Sequence, residues 1–148
     1  MELRETVPIA VKETLAMFNL SAQDAGEMEQ GSLTSANQVN VLIGLTEGLR
    51  GNLMIGLSRS LAMTIASGMM GGMEVKEMDV MARSAIGELG NLVSASAVLK
   101  MEREETIQIS PPTVAIGDRM FLMISRAPST VIQFQVGSER LAIRFALE

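Results

Sequence analysis

The apolar residues of this chain change their period three times, and the order of those changes limits the fold more than any other feature. Between Thr6 and Asn19, residues Val7, Ala10, Val11, Ala16 and Phe18 recur about every 3.6 positions, which predicts a first helix. Pro8 lies close to its start, where a missing amide hydrogen costs least. The polar stretch SAQDAGEMEQ reads as a connection. Beyond it, β-branched and glycine-punctuated runs predict strands at Gly31 to Ser35, Asn37 to Glu47 and Arg50 to Ser58, the last two forming a hairpin around Gly48. The helical period then returns. Ser60 is placed to cap a second helix carrying Leu61, Ile65, Met69 and Met70, which Gly71 and Gly72 end. A third helix runs from about Glu77 to Glu102 and closes in the charged stretch MEREET. Extended segments follow at Thr106 to Ile109 and, beyond Pro111 and Pro112, at Arg119 to Arg126, Thr130 to Val136 and Arg140 to Leu147, with a tight turn at Gly137 and Ser138. Helix, strands, two helices, strands is an α+β order, with the helices packed on one face of a largely antiparallel sheet. No linker or low-complexity stretch divides it, so residues 1–148 are expected to form a single domain.

Composition narrows the chemistry. Seventeen acidic residues against twelve basic ones give a net charge of −5, and there is no Trp or Tyr. A phosphate-neutralising surface and aromatic stacking platforms are both missing, so nucleic acid is not an expected partner. Cysteine and histidine are absent, which removes thiolate nucleophiles, imidazole bases and the metal sites that need those ligands. The start, MELRETVPIAVKETLAMF, interleaves charges with apolar residues, and no run of about 18 apolar residues occurs. No membrane insertion and a cytoplasmic location are therefore expected. Catalysis would have to use carboxylates, amides, hydroxyls, lysine or a cation carried by a partner.

The third helix displays such groups. With Ser84 at zero and about 100° per residue, Glu88, Asn91 and Ala95 fall at roughly 40°, 340° and 20°, a single stripe. Ala82, Ala85, Ile86, Leu89, Val93 and Ala97 centre at roughly 150° and point elsewhere. Gly87 and Gly90 interrupt the helix, each costing about 1 kcal/mol relative to alanine. Two accounts of them compete. Gly90 can let a neighbouring helix or the sheet approach closely, with Glu88 and Asn91 merely solvated. Alternatively Gly87, Gly90, Ser94 and Ala95 leave a shallow surface on which another protein docks, with one carboxylate and one carboxamide projecting from it. Such a pair can grip a partner's cation and hold a water, which suits hydrolysis of an activated phosphoryl group. Arg83, at roughly 260°, lies beside the stripe, where it can steer an acidic partner or simply be solvated. Methionines at Met63, Met69, Met70, Met73, Met78 and Met81 read as core filling. The clustered Glu102, Glu104 and Glu105 carry no metal-loop spacing.

Three blocks in order, MMGGM at Met69 to Met73, SAIGELGN at Ser84 to Asn91 and PPTV at Pro111 to Val114, resemble the CheC/CheX/FliY family of bacterial chemotaxis phosphatases. The Ser-x3-Glu-x2-Asn motif occurs once, which resembles the CheX branch more than the two-copy CheC-like members. The resemblance implies hydrolysis of the aspartyl phosphate of a phosphorylated CheY-like response regulator. Glu88 would pair with the regulator's active-site lysine and Asn91 would orient the attacking water, with Ser84 supporting. No cofactor is implied on this chain, and Mg2+ would come with the regulator. Pro111 and Pro112, after 19 and 20 intervening residues, fall near the family's proline and are given a loop-shaping role. A homodimer with its sheet continued across the interface is also implied, and STVIQFQV would be hazardous as an open edge unless paired. The alternative is a non-catalytic adaptor that binds a regulator or a flagellar-motor component through the same helix face.

Overall fold

The computed structural model describes residues 1–31, 33–35 (backbone only) and 37–148. In chain order it contains α1 (Leu3–Ala16), β1 (Ala22–Gln30), β2 (Leu33–Ser35), β3 (Val39–Glu47), β4 (Gly51–Leu57), α2 (Arg59–Met69) and α3 (Val80–Leu99). It continues with β5 (Gln108–Ile109), β6 (Thr113–Ile116), β7 (Phe121–Met123), β8 (Ser129–Val136) and β9 (Glu139–Leu147). Seven strands form one antiparallel sheet in the order β1-β8-β9-β4-β3-β5, with β6 pairing the same outer edge of β3. β2 and β7 form a separate two-stranded arm. The α+β expectation holds.

The period-2 pattern explains why the sheet has two unlike faces. Val39, Val41, Ile43 and Leu45 of β3, Leu53, Ile55 and Leu57 of β4, Ile132 and Phe134 of β8, and Leu141 and Ile143 of β9 share one core with the buried residues of α1, α2 and α3. The opposite face carries a smaller cluster of Met54, Ala146 and Ile124, onto which Leu122 of the arm packs. Arg144 is buried on that face, and burial pushes its guanidinium below the ordinary arginine value. Its Nε and Nη1 donate to Gln30 Oε1 and Asn37 Oδ1 at 3.3 and 3.4 Å.

Helix boundaries move to where the caps lie. α1 begins at Leu3 rather than Thr6, because Leu3 extends the buried stripe of Val7, Ala10 and Val11. Beyond its last residue, Ala16, Asn19 takes a left-handed φ of 61° and turns the chain out of the helical path. Ser58, not Ser60, caps α2, accepting from Leu61 N at 3.1 Å while its hydroxyl donates to Glu139 at 2.8 Å. Gly71 and Gly72 end that helix as expected, at φ of 70° and 90°. α3 is shorter than Glu77 to Glu102 because Asp79 accepts from Ala82 N at 2.9 Å and starts the helix there. Gly48, with φ of 76°, turns the β3–β4 hairpin.

The strand expectations need more correction. SAQDAGEMEQ is not a connection: it is β1, an exposed edge strand whose polar residues face water. Arg4–Glu27 and Lys12–Asp24 ion pairs tie it to α1. The Gly31 to Ser35 strand is limited to Leu33–Ser35, and position 32 lies outside the described residues. Arg119 to Arg126 contracts to Phe121–Met123. β6 directly follows the two prolines and was not expected. Ser110 makes its docking possible, since its N–H donates to Gly44 O and its Oγ accepts from Gly44 N, both at 2.8 Å. STVIQFQV, finally, is no edge: β8 is paired on both sides, by β1 and β9.

Candidate functional site

α3 packs on α1, α2 and β3, and leaves one face outward. On it stand Ser84 and Glu88, both exposed, Asn91, half-buried, and Ala95, exposed. The helical stripe read from the sequence is therefore where the structure places it. The surrounding small residues divide. A methyl group on Gly90 would come within 2.5 Å of Val41 Cγ1, so this glycine serves the close approach of α3 to β3. Ser94 is fully buried, its Oγ without a hydrogen-bond partner among the described residues. Gly90 and Ser94 are thus core-facing and correct the expected docking surface. Ala95 remains on it.

Gly87 is buried differently. A methyl there would meet Pro112 Cγ at 3.4 Å, so Gly87 forms the floor between α3 and the segment entering β6. Above that floor opens a shallow cleft of about 400 Å3, walled by Ser84, Glu88 and Asn91 on one side and by Pro112 and Val114 on the other. Pro112 accordingly does more than shape a loop: its ring is a wall of the cleft. Sequence spacing gave no way to see that the chain returns beside α3 at this point. Arg83 closes the lining, its Nε donating to the Met78 carbonyl at 2.7 Å.

The outward face of α3 is also apolar at its ends. Val80 is 77% exposed and Leu99 79% exposed, with Met81 also exposed, so core filling does not describe Met81 or the exposed Met73. Exposed apolar groups that bracket a polar pair suit a surface that docks a macromolecule. Chemically the pair offers one carboxylate and one amide, with no nucleophile activated by an imidazole. Among the described residues no three carboxylates stand together as a metal site, and no helix is long and apolar enough to cross a membrane.

The longest helix of this α+β domain thus presents a carboxylate and an amide beside an open cleft. Residues 39–135, which include all of α3 and both cleft walls, match the family model described as chemotaxis phosphatase CheX, and the chain belongs to that family. A Thermotoga maritima protein named CheY-P phosphatase CheX is 43% identical over 77 residues, a match that spans 51% of this chain and 50% of that protein. Chemotaxis protein CheX from Desulfovibrio desulfuricans superimposes with a TM-score of 0.86 at 20% identity, covering all of both chains. A Borrelia burgdorferi structure described as the CheX-CheY-BeF3-Mg2+ complex gives 0.77 at 20% identity, covering 100% of this chain and 99% of that one. The two structural likenesses show a shared fold.

Proposed function

We propose that this chain hydrolyses the aspartyl phosphate of a CheY-like response regulator, with Glu88 and Asn91 as the working pair. The observation that carries this reading is their joint projection, one helical turn apart, into an open cleft on the outward face of α3. An acyl phosphate is already activated, so what remains is to place a water in line with the leaving carboxylate and to stabilise charge. The Asn91 carboxamide suits the placing of water, because its oxygen accepts from the water while its nitrogen donates to a neighbouring acceptor. The Glu88 carboxylate suits docking, through a charge-assisted bond to the regulator's lysine ammonium. Ser84, one turn from Glu88, supports the wall. Mg2+ would arrive with the regulator, consistent with the composition of the Borrelia burgdorferi complex.

The reading is tested by following phosphate loss from a phosphorylated CheY-type regulator, with Mg2+, at about one part of this protein in a hundred. Acceleration at that ratio is the expected result. Binding without acceleration would replace catalysis by the adaptor alternative.

A homodimer belongs to the same proposal, but its support is not β8. The β2–β7 arm turns Leu122 inward and leaves Phe121 71% and Met123 55% exposed on its other side. That apolar outward strip is the surface we assign to a second copy of the chain.

A further inference from the structure

The cleft that holds Glu88 and Asn91 contains one cation, Arg83, which the mechanism above leaves unused. At about 100° per residue, Arg83 sits roughly 80° around α3 on one side of Asn91, while Glu88 sits roughly 60° away on the other. The amide is flanked by opposite charges. Nε of Arg83 donates to the Met78 carbonyl at 2.7 Å, which fixes the stem and leaves the terminal nitrogens of the fork to find an acceptor. No ion pair neutralises the guanidinium among the described residues. Because the side chain is already tethered, engaging it sacrifices less rotamer freedom than engaging a free surface arginine.

This matters because the chain carries a net charge of −5 and an aspartyl phosphate site is itself rich in anionic oxygens. Glu88 alone would make the cleft repel such a site, and the one cation in its lining offsets that charge. We propose that Arg83 is a specificity-determining docking residue. Its guanidinium pairs with an oxyanion at the partner's phosphoryl site, and together with Glu88 it sets the partner's orientation about Asn91. The proposal rests on the phosphatase reading.

The test compares the wild type with Arg83→Gln, Arg83→Lys and Arg83→Glu in steady-state hydrolysis over a range of salt concentrations. Arg83→Gln should lower kcat/KM about three- to tenfold through KM, keep kcat within about twofold, and flatten the dependence on salt. Lysine should restore part of the loss and glutamate should deepen it. Wild-type KM and salt dependence in Arg83→Gln would overturn the proposal. So would a loss that follows a lowered melting temperature and ignores salt, since a purely structural bond to Met78 predicts that.

If the wild type fails to accelerate hydrolysis, the phosphatase reading falls, and titration decides the role of Arg83 separately. Beryllofluoride-bound and unmodified regulator are each titrated onto wild type and Arg83→Gln. Weakening confined to the beryllofluoride form places the oxyanion on the phosphoryl group. Equal weakening of both forms places it among the rim carboxylates. Equal affinities for the two proteins, or no binding by either, overturn it.

Discussion

Asn91 and Glu88 are one turn apart, yet the roles assigned to them separate in measurable ways. Asn91→Ala removes the amide proposed to hold the water and leaves the carboxylate, so regulator binding should persist while acceleration of phosphate loss falls by about a hundredfold or more. Retained acceleration in that variant would remove the amide from the mechanism. Glu88→Ala deletes the charge proposed to engage a lysine, so both binding and turnover should weaken, and affinity measured by titration should drop along with the rate. Their outward placement was legible in the sequence because helical angle depends only on residue count. The fate of Ser94 was not. A position at roughly 280° is inside or outside according to what packs there, and that is a property of neighbours distant in the chain.

Among the elements, α3 carries two glycines three residues apart that solve different problems. Gly90 sits against β3, where a methyl would lie 2.5 Å from Val41 Cγ1. Gly90→Ala should therefore destabilise the fold by about 1–3 kcal/mol in a urea melt, because overpacking exceeds the gain in helix propensity. Gly87 has Pro112 Cγ at 3.4 Å from the same hypothetical methyl, an ordinary contact distance. Gly87→Ala should be neutral or stabilising by up to about 1 kcal/mol, while it raises the floor of the cleft and slows turnover. A Gly90→Ala variant that is neutral or more stable would mean that α3 does not lie on β3 as described. Helices and central strands were readable since each buries a stripe with its own period. β1 hid because an edge strand facing water has polar residues on its open side, and β6 because Pro111 and Pro112 read as a break. The prolines precede the strand, so neither occupies a position that must donate to β3.

At the scale of the whole molecule, the sheet is covered on one face by three helices and on the other only in part, by the arm. Arg144 reaches from β9 toward Gln30 and Asn37, the chain on either side of β2, and so secures the base of that arm. What lies beyond is the apolar strip of Phe121 and Met123, whose side chains alternate with the inward Leu122. Solvating two large side chains side by side on a short strand is unfavourable, and a second copy offers the same strip in return, as a two-fold interface requires. Phe121→Asp should then yield a monomer by light scattering at concentrations where the wild type is a dimer. Its melting temperature, extrapolated to low concentration, should match that of the dissociated wild type, because Phe121 supports no core. Glu88 and Asn91 lie on α3, over the helical face of the sheet, so the monomer should still accelerate phosphate loss. A wild type that is monomeric at micromolar concentration, or a Phe121→Asp variant that remains dimeric, would take the interface away from the arm.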